Sequence, residues 1–154
     1  MARILGLTDR WMVGGRLGSG LQRLDLDYQL GMGGADRTGW QVQALRAAQL
    51  TGLQIDGLDG ALKKASEGVL KMAGKNGHFK YHFSKGGDGK ETLTGAGVLS
   101  LIYLKEGASD AVRNGFKAML EANEKDKYEQ AQLYSWYYNT QACYQKGDPV
   151  WNKW

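Results

Sequence analysis

The chain of 154 residues predicts an all-α fold, an array of about three stacked helical hairpins behind an irregular N-terminal segment. Three observations carry that expectation. Apolar residues recur at helical spacing from Thr38 onward, stretches apolar on every side alternate with amphipathic ones, and a short motif repeats 56 residues apart. Thr38-Gly39-x-x-Val42-x-x-Leu45 returns as Thr94-Gly95-x-x-Val98-x-x-Leu101, and Ser135-Trp136 stands where Gly39-Trp40 stands. Helices covered on both sides alternating with helices facing water are what stacked hairpins require.

Residues 1–37 form the lead-in, with glycines at 14, 15, 18, 20, 31, 33 and 34 and no sustained period. Leu24, Leu26, Tyr28 and Leu30 suit a strand, and Leu21, Leu24 and Tyr28 suit a short helix equally well. Residues 38–154 form the hairpin domain. Its first helix runs from about Gly39 to Leu50, with Thr38 as N-cap and Gly52 beyond its end. The second runs from about Leu58 to Ala73 on a narrow stripe of Leu58, Leu62, Ala65, Val69 and Met72, stopped by Gly74. The third, Leu93 to Leu104, is apolar nearly all round and therefore buried. The fourth, Ser109 to Ala122, has Ser109 as N-cap, Asp110 in its first turn, and Val112, Phe116, Met119 and Leu120 on one side. The fifth, Ala131 to Gln145, carries Tyr134, Trp136, Tyr137, Tyr138 and Tyr144 and ends at Gly147 with Pro149 after it. Val150 to Trp154 opens a sixth.

Composition narrows the function. Twenty-three glycines against one proline, without a Gly-X-Y period, exclude a collagen-like fibre and point to tight turns and helix ends. The net charge of +4 arises between Ala61 and Lys127, where twelve basic residues alternate with eight acidic ones. Such interleaving describes a solvated surface and not the one-sided basic patch of a nucleic-acid binder. Basic usage also changes along the chain: six arginines and no lysine precede Ala61, and thirteen lysines with only Arg113 follow. The single cysteine, Cys143, excludes an internal disulfide. No apolar run reaches the length of a membrane span, and Met1 to Gly20 lacks the apolar region of a signal peptide, so the cytoplasm is the default expectation.

Thr38-Gly39-Trp40-Gln41-Val42-Gln43-Ala44-Leu45 with Ala47-Ala48, Gly77-His78-Phe79-Lys80-Tyr81, Leu93-Thr94-Gly95-Ala96-Gly97-Val98, and Tyr134 to Ala142 with Gly147 and Trp151 resemble a known family. It is the prenyltransferase and squalene oxidase type repeat. Within it, the chain is most similar to squalene-cyclase-like repeat proteins of planctomycete-type bacteria. The resemblance covers about residues 34–154. It implies an α/α toroid, with helices in two concentric layers around a cavity, and about three hairpins amount to a partial toroid. It also implies that the chain is part of a larger toroid or that copies associate over the open ends.

The chain departs from the enzymes of that family. Where they carry Asp-x-Asp-Asp, this sequence has only Asp25-Leu26-Asp27-Tyr28, and it has no Asp-Asp-x-x-Asp cluster for magnesium and diphosphate. Asp36, Asp88, Glu91 and Asp148 are loop acids without a recognisable pair for glycan chemistry. Cys143-Tyr144-Gln145-Lys146 lacks the Cys-Gly-Glu-Gln of thioester domains, and Cys143 reads as a small core residue. Gly31-Met32-Gly33-Gly34 lacks the Gly-Lys-Ser/Thr of a phosphate loop. His78 and His82 alternate with Phe79, Tyr81 and Phe83, so the segment is extended. The two imidazoles then stand about 13 Å apart, too far for one metal, and the rings between them pin the loop over the helix ends.

No metal, no cofactor and no catalytic residue is therefore expected. Trp40, Tyr103, Trp136, Tyr137 and Tyr138 are the candidate ligand-binding residues. They either fill the core between the helix layers or line a concave face that holds an apolar ligand. The functional expectation is a non-catalytic repeat module binding a protein, peptide or apolar ligand through that face. Its alternative is a terpenoid-cyclase-like or other toroid enzyme, for an isoprenoid or glycan substrate, with part of its active site outside this chain.

Overall fold

The computed structural model describes residues 35–81, 88–123 and 132–154. Among the described residues there are six α-helices: α1 (Ala35–Leu50), α2 (Leu58–Met72), α3 (Glu91–Tyr103), α4 (Asp110–Asn123), α5 (Leu133–Lys146) and α6 (Val150–Lys153). The fold is all-α. Leu24 to Leu30, the Asp25–Asp27 pair and the Gly31–Gly34 run lie outside the described residues, as do His82 and Phe83.

Helix α3 is the centre of the molecule. It packs against α1, α2, α4 and α5, while α2 also rests on α1 and α6 rests on α5. Every residue from Leu93 to Leu101 is buried, as its all-round apolar sequence demands. Its neighbours are amphipathic. Helix α2 buries Ala61, Ala65, Val69 and Met72, and α4 buries Val112, Phe116 and Met119. These side chains form one continuous core with Val42 and Leu45 of α1 and Ala142 and Cys143 of α5. At its start, α4 is capped by Ser109, whose Oγ accepts from Val112 N–H at 3.4 Å.

Two glycines of α3 explain how so much backbone fits round one helix. A Cβ on Gly95 would lie 2.2 Å from Asn139 Oδ1 and 2.5 Å from Asn139 N, so α5 rests directly on bare backbone. A Cβ on Gly97 would lie 2.2 Å from the ring of Phe79, which is fully buried. Phe79 comes from the connection between α2 and α3. Backbone bonds from Lys80 N to Met72 O and from Lys90 N to Phe79 O, each 2.8 Å, fasten it there. The expected pin is thus Phe79. Tyr81, by contrast, stands at the surface.

Three expectations need correction. Helix α1 begins at Ala35 and α3 at Glu91, so Thr38, Gly39 and Gly95 sit inside helices instead of at their starts. Thr38 is accordingly no N-cap: it is buried, and its hydroxyl has no partner. In the second copy the Thr94 hydroxyl turns back to Lys90 O at 3.2 Å and meets His78 Nδ1 at 2.8 Å, so it too serves the interior. The repeat glycines are helix-to-helix contact points: a Cβ on Gly39 would touch Ser100 and Ala96 of α3, and one on Gly95 would run into Asn139 of α5. Finally, α5 is less enclosed than its aromatic content suggests: Tyr134, Tyr137 and Tyr144 are exposed.

Candidate functional site

Helix geometry brings Tyr134, Tyr137 and Tyr138 to one side of α5, because residues three and four apart share a face. Their rings touch. Tyr134 and Tyr138 have centroids 4.8 Å apart at 54°, and Tyr137 meets Tyr138 edge-on at 5.0 Å and 84°. Tyr138 is the anchor, only 4% exposed, with its ring in the core and its hydroxyl at the rim. That hydroxyl accepts a hydrogen bond of 2.6 Å from Nε1 of Trp40 on α1. Helices α1 and α5 both pack on α3, so this bond ties together the two flanks of the central helix.

Around the anchor the surface is apolar and open. Trp40 is 68% exposed and Tyr137 59%, with Tyr134 and Leu133 also exposed beside them on α5. Large rings are affordable here because small residues lie beneath them: Gly39 contacts Ala96 and Ser100 of α3, and Gly95 contacts α5. Trp40 and Tyr138 can then meet without a large side chain of α3 between them. Single exposed hydrophobics are ordinary on a protein surface; a contiguous group of aromatic ones marks a contact surface.

The five candidate aromatics divide three ways. Trp40, Tyr137 and Tyr138 come together on this face. Trp136 does not join them; it packs edge-on against Trp154 at 6.5 Å, whose indole N–H donates to Thr140 Oγ1 at 3.0 Å. Tyr103 stands at the C-terminal end of α3, in a cleft of about 340 Å³ with Leu62, Leu70 and Leu104. Beside it Ser66 donates to Glu106 Oε1 at 2.9 Å. Spacing alone had a signal for the overlooked members of the face: Tyr134 is one helical turn before Tyr138, and Leu133 follows from the same register.

The remaining chemistry is quiet. Cys143 is fully buried, and burial pushes its thiol up to about 11, which leaves little thiolate at neutral pH. Asp88, Glu91 and Asp148 are exposed, and Glu91 opens α3 instead of lying in a loop. Among the described residues no cluster of histidine, cysteine or carboxylate side chains is arranged to hold a metal ion. Among them, too, no helix is long and apolar enough to cross a membrane. Neither a family model, a curated protein nor a solved structure matches this chain.

Proposed function

We propose that the chain is a non-catalytic helical repeat module that binds an apolar ligand or an apolar peptide segment on the aromatic face of α1 and α5. One observation carries the reading: Trp40, Leu133, Tyr134 and Tyr137 lie exposed around a Tyr138 that is itself locked in place. A rigid aromatic platform offers large contact area and loses little side-chain entropy when covered. In the same reading the chain is an arc of a prenyltransferase-type toroid, and the face is part of the surface such an arc turns inward. The 56-residue motif supports this, because both of its glycines serve as contacts to the next helix of the row.

Native mass spectrometry of the purified protein, together with binding of the apolar dye anilinonaphthalene sulfonate, tests the proposal. The expected result is a carried-over small molecule or saturable dye binding that is lost in Trp40→Ala/Tyr137→Ala while the fold persists by circular dichroism. A ligand-free wild type without saturable dye binding overturns it.

A further inference from the structure

We infer that Asn76 is the site at which the native protein undergoes deamidation, and that its amide is a latch on the connection between α2 and α3. The inference is independent of what the aromatic face binds. Two Asn-Gly pairs occur in the sequence, Asn76-Gly77 and Asn114-Gly115. Such pairs cyclise readily because the glycine amide nitrogen is unshielded by a side chain. The nitrogen gives up its proton to solvent base and attacks the asparagine Cγ. The Cγ–Nδ2 bond breaks, ammonia leaves, and a succinimide forms. Water then opens the ring to aspartate or isoaspartate.

The fold holds the two pairs differently. Asn114-Gly115 lies in the middle of α4, where Gly115 is buried and a Cβ on it would meet Val98 Cγ2 at 2.4 Å. Freeing that peptide means unwinding a helix from the core. Asn76-Gly77 lies in the turn after α2, outside any helix: Asn76 is exposed, while Gly77 is buried against α4, where a Cβ on it would meet Asn114 O at 2.7 Å. Asn76 Oδ1 accepts from His78 N at 3.2 Å and Gly89 N at 3.1 Å, and Nδ2 donates to Gly89 O at 3.2 Å. The attacking nitrogen, Gly77 N, is occupied as a donor to Gly74 O at 3.2 Å. Closed, this turn shields the reaction; a local opening has to lift Gly77 off α4 but need not unwind that helix.

The product cannot restore the latch. A carboxylate still accepts from His78 and Gly89, but it has no donor for Gly89 O and sets oxygen against oxygen there. Gly74 N to His78 O and Lys90 N to Phe79 O are the neighbouring bonds, so loosening reaches the backbone that seats Phe79 in the core.

The test is incubation of the wild-type protein at mildly alkaline pH, folded and in urea, with peptide mapping of both Asn-Gly sites. In urea the two sites react at similar rates. Folded, Asn76 is expected to react at least about tenfold more slowly than in urea, yet ahead of Asn114. Equal folded and unfolded rates at Asn76, or Asn114 reacting first, overturn the site. Limited proteolysis of Asn76→Asp tests the latch: faster cleavage between α2 and α3 is expected, and cleavage at the wild-type rate overturns it.

Discussion

Trp40 and Tyr138, 98 positions apart in the chain, are joined by a hydrogen bond of 2.6 Å from indole nitrogen to phenol oxygen. The two ends of that bond are unequal. The indole is mostly in water and the phenol ring is almost wholly buried, so the ring carries the energy and the bond sets the orientation.

Removing only the hydroxyl, with Tyr138→Phe, is therefore expected to cost about 1 kcal/mol or less, because the exposed Trp40 nitrogen turns to water. Tyr138→Ala is expected to cost about 3 kcal/mol or more, since the buried ring and its contacts with Tyr134 and Tyr137 go with it. Urea denaturation of the two variants measures the difference.

Gly39 and Gly95 occupy the same place in the repeat, yet alanine is expected to act oppositely at the two. At Gly39 the new Cβ would sit 3.7 Å from Ser100 Oγ, an ordinary contact, within a helix. Gly39→Ala should stabilise the protein by about 0.5–1 kcal/mol through helix propensity. At Gly95 the Cβ would run into the α5 backbone, and Gly95→Ala should destabilise by about 1–3 kcal/mol. Paired thermal melts decide it, and the same sign at both sites refutes the contact scheme.

Lys105 follows α3 with φ of 67°, a left-handed conformation that a side chain resists. The bonds Glu106 N to Leu101 O at 2.8 Å and Lys105 N to Ile102 O at 3.1 Å are those of a helix end usually built on glycine. Lys105→Gly is expected to raise stability by up to about 1 kcal/mol, read from the urea midpoint.

Cys143 supplies a pH dependence. Its thiol is raised by burial to about 11, so the folded state holds its proton where the unfolded state loses it. Between roughly pH 9 and pH 11 the unfolded chain binds fewer protons, and stability falls as pH rises. The loss attributable to this group is on the order of 2 kcal/mol at the top of that window. It is read as the difference in slope between wild type and Cys143→Ala in alkaline denaturation; parallel slopes would remove the assignment.

Much of this was legible in the residues. Helices α2 to α5 fall within two residues of their expected bounds, because period, Ser109 and Gly147 are local signals that neighbouring turns do not override. The burial of α3 followed from its composition. The beginning of α1 did not follow, because Thr38 looks like a cap until packing buries it inside the helix. The candidate site was legible in part. Trp40, Tyr137 and Tyr138 were found by residue type, whereas Tyr103 and Trp136 belong elsewhere.

The order and polarity of residues along the chain settled the all-α class, the helices and the burial of α3, since each depends on periodicity within a dozen residues. Only tertiary packing decided which aromatic rings meet. A ring's partners depend on how each helix is rotated about its axis. Here those rotations are set by contacts between distant residues: Gly95 under α5, Phe79 against Gly97, and Trp40 reaching Tyr138.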